Sequence, residues 1–313
     1  MLGIRAGAWG SRFVSLALIW GLSFLFIKLG ERSLAPLHVS FGRMLFGALT
    51  VLGVLAVRRQ RLPASWRTWG HLAVAGALLN TLPFSLIAYG EQHVSSVVAG
   101  IWNATTPLFT LPVAIVLIAG EYATRRRAIG LLIGFAGVLT VLGIWRGLGA
   151  TSLQGNLLCM SSAASYGLGF PYARKYLAGR PEGPLVLAAG QLTCGTLELA
   201  VITPLLTTLP AHVGPGASLS VVALGVLGTG VAYILNYAVI RDAGATVAST
   251  VTYIIPIFST LAGIILLGEP LRINQPIGAA VILLGAAIAQ GRLQPIRLLP
   301  ASRCSSAAVS ERT

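Results

Sequence analysis

Two charged side chains lie inside long apolar stretches of the sequence, where a charge needs a partner or water. At about 1.5 Å per helical residue, Arg43 lies about 9 Å and Glu198 about 15 Å from one end of its stretch. A functional Arg43 would bind a carboxylate through charge-assisted hydrogen bonds, and Glu198 is a candidate proton carrier because no other acid lies as deep. Alternatively, Arg43 extends its long side chain to the end of its stretch, or the two residues form a structural pair.

Amide and hydroxyl side chains in the apolar stretches form a second set of candidates. Asn103 stands one turn before Pro107, whose ring removes a backbone donor and kinks a helix. Its amide therefore either contacts a substrate or repairs the kink, whereas a threonine in an apolar helix commonly bonds its own backbone. The candidates of this kind for lining a binding cavity are Asn80, Asn103, Thr106 and Asn236.

Aromatic side chains that lie away from the ends of the stretches form the third set. They would suit a partly apolar substrate, although an aromatic residue in a helical bundle also serves simple packing. We expect Trp20 and Tyr166, which occupy equivalent positions of an internal repeat described below, to flank a cavity. The aromatic candidates are Trp20, Trp102, Tyr166, Phe170, Tyr233 and Tyr253.

The sequence offers no motif for catalysis or metal binding. Its four His residues fall in or beside different loops, and the HExxH, GxSxG and paired intramembrane Asp patterns are absent. Three Cys residues, two of them inside apolar stretches, predict neither a disulfide framework nor a metal site. We therefore expect no enzyme, no catalytic residue, no metal and no cofactor.

The composition indicates that these side chains are positioned by membrane-spanning helices. Hydrophobic residues make up 55% of the chain and charged residues 10%, and the mean hydropathy of +0.82 excludes a water-soluble domain. Apolar stretches long enough to cross about 30 Å of hydrocarbon recur along the chain. Ten spans are predicted: 13–30, 37–57, 69–90, 94–118, 128–145, 153–176, 184–208, 219–240, 246–267 and 274–290.

The distribution of basic residues predicts the orientation of these spans. The formal net charge is +14, but the charges lie in loops rather than on one face, so we expect no nucleic-acid partner. Most of the 22 Lys and Arg residues fall in the first tail, the last tail and every second loop. Because basic residues near helix ends resist translocation, both termini are predicted to be cytoplasmic.

The ten predicted spans form two sets of five that resemble each other. Prolines, glycines and a Gly-Glu dipeptide recur in order at offsets close to 148 residues, as in Gly120-Glu121 and Gly268-Glu269. The repeats are predicted to cover 12–145 and 153–290, followed by a disordered cytoplasmic tail at 291–313. Since five is an odd number, the second set must enter the membrane from the opposite side, and inverted halves suit alternating access to a site between them.

Several segments resemble the drug/metabolite transporter superfamily, EamA type. They are LIWGLSFLFIKLG, FGRMLFGAL, WNATTPLFTLPVAIVLIAGE and VTYIIPIFSTLAGIILLGEP, and the resemblance covers about residues 12–290. It implies an all-α polytopic membrane protein with ten helices in two inverted five-helix repeats. The first four helices of each repeat would surround a central cavity, and the fifth helices, 128–145 and 274–290, would lie at the periphery.

Members of this superfamily export amino acids, drugs or other metabolites, so the substrate has to be inferred from the residues. A mostly neutral lining with one arginine fits zwitterionic amino acids better than phosphorylated compounds, which call for several buried basic groups. We therefore expect an amino-acid exporter of the bacterial inner membrane, with lipid around it. The alternatives are a carrier of drugs or other metabolites, or a membrane structural or sensor protein.

The GxxxG spacing at 130–134 indicates close helix packing within a monomer or a weak homodimer.

Overall fold

The computed structural model describes residues 3–119, 122, 124–143, 152–178, 180–210, 212–243 and 251–289, and within these ranges all regular elements are helices. They are α1 Gly3–Gly30, α2 Pro36–Val57, α3 Trp66–Gly76, π1 Ala77–Thr81, α4 Leu82–Glu91, α5 Ser96–Asn103, α6 Thr106–Leu117, α7 Arg125–Leu142, α8 Leu153–Tyr176, α9 Pro184–Leu206, α10 Pro215–Gly225, π2 Val226–Val231, α11 Ala232–Ala243, α12 Val251–Leu267 and α13 Asn274–Ala289.

Each predicted span overlaps one or more of these helices, but the helices differ in length and polarity. Six helical segments are long and apolar enough to cross a membrane, and two shorter apolar helices cover Ile254–Leu267 and Asn274–Gly285. Helix α7 opens with three arginines, and α8 carries a series of serines. The six segments are Trp9–Gly30, Pro36–Val57, Trp66–Glu91, Ser96–Leu117, Pro184–Leu206 and Pro215–Asn236.

Two of the long segments change from α-helix to π-helix near their centres. The π1 segment joins α3 to α4, and the π2 segment joins α10 to α11. They lie at equivalent places of the sequence repeat. In a π-helix the backbone hydrogen bonds join residues i and i+5 instead of i and i+4, and such segments often mark a functional site. Hydropathy did not predict these segments, because apolar content is insensitive to the hydrogen-bond register.

A break near Pro107 divides another long segment into α5 and α6, as the proline predicts. Threonine hydroxyls satisfy backbone carbonyls there. Thr105 Oγ1 donates to the carbonyl of Trp102 at 2.7 Å, and Thr106 Oγ1 donates to that of Asn103 at 2.8 Å. Hydroxyls rather than the Asn103 amide therefore repair the break.

Helices of the two repeats approach each other closely at glycines that occupy equivalent positions. A Cβ atom added to Gly76 would lie 3.0 Å from the carbonyl oxygen of Gln191, and one added to Gly225 would lie 2.9 Å from that of Arg43. Gly76 of the first repeat thus contacts the second repeat, and Gly225 of the second repeat contacts the first. The backbones can approach this closely because glycine has no side chain.

The helices that begin each repeat also make equivalent contacts with the other repeat. Helix α1 packs on α12 with Gly21 against Phe258, and helix α8 packs on α6 with Gly167 against Phe109. An added Cβ would lie only 2.3 Å and 2.4 Å from the respective phenylalanine Cβ atoms. The first helix of each repeat thus packs on the fourth segment of the other.

Helices α7 and α13 pack against each other along glycines. A Cβ added to Gly285 would lie 2.4 Å from the Gly134 nitrogen and 2.6 Å from the Gly130 carbonyl oxygen. The GxxxG spacing at 130–134 therefore serves a contact within the chain, one of the two uses that the sequence allowed.

Candidate functional site

A cavity of about 270 Å³ lies among the first four segments of both repeats. Its wall is mainly apolar, and Arg43 is the one charged residue among the described residues that line it. The lining comprises Trp20, Ser23, Phe24, Ile27, Arg43, Leu79, Phe84, Ile87, Asn103, Thr106, Tyr166, Phe170, Ala173, Gln191, Tyr233, Asn236, Thr252 and Ile255.

Most of the residues selected from the sequence meet at this cavity. Those that line it are Trp20, Arg43, Asn103, Thr106, Tyr166, Phe170, Tyr233 and Asn236. Asn80, Trp102 and Glu198 lie outside the lining and are described below. The Tyr253 side chain lies outside the part of the chain whose side chains are described.

Arg43 lies in the cavity wall with its guanidinium held from two sides. Its Nε donates to Thr229 Oγ1 of π2 at 2.9 Å, and its Cζ lies 3.6 Å from the centroid of the Phe84 ring. No carboxylate lies within 4.0 Å of its nitrogen atoms in the described part of the chain. Arg43 is 7% exposed. It therefore forms neither the surface contact nor the pair with Glu198 that the sequence left open.

A second polar group lies at the position related to Arg43 and Thr229 by the repeat. Gln191 Nε2 donates to Asn80 Oδ1 at 2.6 Å, and Asn80 Nδ2 donates to the Tyr233 hydroxyl at 2.8 Å. Asn80 is fully buried in π1. It thus orients two lining residues from behind rather than lining the cavity itself.

Aromatic rings form another part of the wall. The rings of Tyr166 and Phe170, one turn apart on α8, stack with centroids 6.0 Å apart and planes 19° apart. Trp20 of α1 lines the same cavity. Trp20 and Tyr166, which the sequence predicts to flank a cavity, both line this one, and their role in binding stays a prediction. Together with Arg43, these rings give the cavity a cationic group and an aromatic surface.

Asn103 ends α5 at the cavity. Threonine hydroxyls already satisfy carbonyls at the break, and the described residues offer no hydrogen-bond partner for the Asn103 amide. This amide is therefore available to a cavity occupant. The adjacent Trp102 turns away, is 4% exposed and donates from Nε1 to Asn156 Oδ1 at 2.8 Å. Trp102 joins α5 to α8 and does not line the cavity, because consecutive helical residues point in different directions.

Glu198 lies on α9 outside the cavity lining. Its Oε2 accepts a hydrogen bond from Thr81 Oγ1 at 2.6 Å, and the side chain is partly exposed. Val201, about one turn further along α9, is 62% exposed. The geometry separates Glu198 from the Arg43 region.

One residue important to the site was not selected from the sequence. Thr229 positions Arg43, and the repeat offset could have identified it, since this offset aligns Thr229 with Asn80. Gln191, a polar residue inside a predicted span, lines the cavity. No group of three or more His, Cys, Asp or Glu residues that could hold a metal ion occurs among the described residues.

Known proteins of similar sequence are transporters. An "Uncharacterized transporter" of Archaeoglobus fulgidus is 27% identical over 88% of this chain and 96% of its own length. The "Uncharacterized inner membrane transporter YedA" of Escherichia coli K12 is 27% identical, with 86% of each chain covered. The "Uncharacterized transporter YoaV" of Bacillus subtilis is 24% identical over 87% of this chain and 93% of its own.

A solved crystal structure and a family comparison agree with this likeness. The solved structure covers 91% of this chain and 98% of its own, with a TM-score of 0.64 and 20% identity, which shows a shared fold alone. The sequence model of the EamA-like transporter family matches residues 9–143 and 153–290, one match for each repeat. The chain is therefore a membrane transporter and belongs to the EamA-like transporter family of the drug/metabolite transporter superfamily.

Proposed function

We propose that this transporter exports small carboxylate-bearing metabolites, above all amino acids, across the bacterial inner membrane by alternating access. The observation that carries the proposal is the position of Arg43. A buried guanidinium lines the cavity, and no carboxylate of the described residues lies within 4.0 Å of its nitrogen atoms. A buried cation without an ion-pair partner is costly, so an anionic group of the substrate would complete the site.

The contacts of Arg43 leave part of its guanidinium for a substrate. Thr229 occupies Nε, and the two Nη groups have no hydrogen-bond partner among the described residues. Two parallel N–H donors match the two oxygens of a carboxylate. The side-chain oxygen of Asn103 or Asn236 could accept hydrogen bonds from an ammonium group, so a zwitterion fits the same cavity.

The size and lining of the cavity favour an amino acid over a drug. Pockets for drug-sized ligands typically measure about 300–1,000 Å³, and this cavity measures about 270 Å³. The stacked Tyr166 and Phe170 rings would contact an apolar side chain. Other small carboxylates satisfy the same contacts, whereas phosphorylated substrates would leave most of their charge unpaired beside one arginine.

Alternating access is supported by the reciprocal contacts of the two repeats. Gly76 and Gly225 make equivalent contacts across the repeats, as do Gly21 and Gly167. If ten spans cross the membrane, the repeats have opposite orientations. Exchanging their conformations would then open the cavity to the other side. With cytoplasmic termini, α1 and α4 end on the outside, and we call this end of the bundle the outer end.

Saturable uptake by purified protein in liposomes tests the proposal. A panel of labelled amino acids, their amides, sugars and cationic dyes would be offered, after a thermal-shift screen of the same compounds. We expect saturable uptake of amino acids, which a structural or sensor protein would not produce. Saturable uptake of dyes or sugars but not of amino acids would contradict the proposed substrate class. The absence of saturable uptake across the panel would contradict the proposal that the protein is a carrier.

A further inference from the structure

A second group of charged side chains lies at the outer end of the bundle, away from the cavity. Lys28, in the last turn of α1, donates from Nζ to the carbonyl oxygen of Glu91 and, at 3.0 Å, to that of Val94. Its ammonium group thus lies at the carboxyl end of α4, where the helix dipole favours a cation. The chain then turns, and α5 begins at Ser96.

The carboxyl group of Glu91 is fully buried in this region. Its Oε2 accepts one long hydrogen bond, 3.3 Å, from Ser96 Oγ, and its Oε1 has no partner in the described part of the chain. An ionised carboxylate without water requires several donors, whereas a protonated acid requires fewer. The conformation described here therefore favours an uncharged Glu91.

A second carboxyl group lies beside it on the segment that follows α1. Glu31 Oε1 is buried and has no hydrogen-bond partner among the described residues. Burial raises the pKa of Glu31 to about 8, and the charge of Lys28 opposes that rise. The other ionisable groups that face Glu91 are Arg43, Cys159 and Glu269. Lys28 thus faces Glu31 and Glu91, and Glu91 also faces Glu269.

Glu269 joins the ends of two helices at the outer end of the bundle. Just beyond α12, its two carboxylate oxygens accept from the backbone N–H groups of Ser96 at 2.9 Å and Val97 at 3.2 Å. The end of α12 is thereby bonded to the start of α5. Ser96 takes part twice, since its N–H binds Glu269 and its hydroxyl binds Glu91.

We infer that Glu91 and Glu31 form a proton-binding site, filled from the outside, whose occupation holds the outer ends of α5 and α12 together. External acid would then close the outer side of the carrier. This inference rests on alternating access, which is part of the proposed function, but not on the identity of the cargo. The second observation besides the acidic cluster is the fully buried, unpartnered Oε1 of Glu91.

The direction of the pH effect follows from linkage. Burial at the closed outer end raises the proton affinity of Glu31 relative to an open, hydrated end. Protonation therefore favours closure fully below the ordinary glutamate value of about 4.3, and the advantage is lost as the pH rises through the pKa of Glu31, about 8. Between these values the ratio of closed to open molecules falls with pH by at most tenfold per pH unit for each carboxyl group.

Distances between spin labels at the outer end test the inference without a substrate. In a variant with Cys159 changed to Ala, which adds no hydrogen-bond donor beside Glu91, and with Cys194 and Cys304 changed to Ser, labels would be placed on Gln92→Cys and Ile273→Cys. Both positions are exposed and flank the two ends. The protein would be in liposomes of bacterial lipid between about pH 5 and 9. We expect the short-distance population to shrink as the pH rises.

Glutamine variants assign the effect to the proposed residues. Glu31→Gln/Glu91→Gln imitates the protonated pair and should keep the short distance at every pH, with each single variant showing a weaker pH dependence. Glu182→Gln, in the loop between α8 and α9, is the matched control and should behave like the parent protein. The parent protein alone already tests the inference if the double variant fails to fold.

Three results would overturn the inference. They are a distance distribution of the parent protein that does not depend on pH, an unchanged pH dependence in the double variant, or a long distance favoured by acid. Amino-acid uptake in the same liposomes separates this inference from the proposed function. Uptake with pH-independent distances rejects the proton site alone, whereas pH-dependent distances without amino-acid uptake reject the cargo and support the proton site.

Discussion

Replacing Arg43 by Gln removes the one charge among the described residues that line the cavity, and it keeps a polar side chain that reaches as far as the position of Nε. The equivalent position of the second repeat already carries Gln191, which fits its helix contacts. We therefore expect Arg43→Gln to fold and to lose the interaction with a substrate carboxylate. Thr229 and Phe84, which hold the guanidinium, are otherwise unchanged.

The magnitude follows from the two Nη groups of Arg43, which have no hydrogen-bond partner among the described residues. A hydrogen bond to a charged group contributes about 1.5–3 kcal/mol. Loss of one such contribution corresponds to roughly a 10- to 150-fold weaker affinity. Arg43→Lys keeps the charge but not the planar pair of donors, so its loss should lie at the lower end of that range.

The assay compares an amino acid with its own amide, which keeps the side chain and the ammonium group but has no carboxylate. In the parent protein, labelled amino-acid uptake should be inhibited by unlabelled amino acid far better than by the amide. In Arg43→Gln the two inhibitors should become nearly equal, because the preference depends on the guanidinium. Arg58→Gln, on an exposed loop, is the matched control.

Two results would refute this reasoning. If Arg43→Gln weakens acid and amide inhibition equally, the residue has a structural role, and if it changes neither, the carboxylate binds elsewhere. A circular dichroism melt of each variant excludes loss of fold as the cause.

Further substitutions test the other parts of the account. Trp20→Ala and Tyr166→Ala should raise the KM for large apolar amino acids by about tenfold, because about 1–1.5 kcal/mol of aromatic contact is lost. The control Trp66→Ala, at a residue that is 78% exposed, should leave the KM unchanged. Unchanged uptake kinetics in the first two variants would show that these rings do not contact the substrate. Gly76→Ala and Gly225→Ala should lower the melting temperature, because overpacking costs about 1–3 kcal/mol. The control Gly53→Ala, with open space around it, should not. Melting temperatures of the first two variants equal to that of the parent protein would contradict the close helix approach. Glu198→Gln should leave any pH dependence of uptake unchanged, since Glu198 lies outside the cavity and the outer cluster; abolition of a proton-driven component would make Glu198 the coupling residue.

Sequence patterns predicted the helical class and much of the candidate site. Hydropathy located the helical segments, and a charge or amide inside an apolar helix indicated Arg43 and Asn103, because such groups need a partner or a wet cavity. Both line the cavity. Six helical segments have the length and apolarity of membrane spans, and the count of ten spans and their orientation stay predictions.

The remaining features depend on helix register and on segment ends, which hydropathy does not resolve. Asn80 lies in π1 behind the wall, and Trp102 points away from the cavity because consecutive helical residues point in different directions. Glu91 was not selected, since the predicted span ended at residue 90 and placed it in a loop. The helix extends to Glu91, and the contacts of Lys28 and Ser96 there join segments distant in sequence.

Counterflow measures the central claim most directly. Liposomes containing the purified protein and an excess of unlabelled amino acid would be diluted into a trace of the same labelled amino acid. An alternating-access carrier exchanges one for the other, so the label should accumulate transiently above its external concentration and then decline. Monotonic entry that only reaches the external concentration, with no effect of the internal amino acid, would contradict the account.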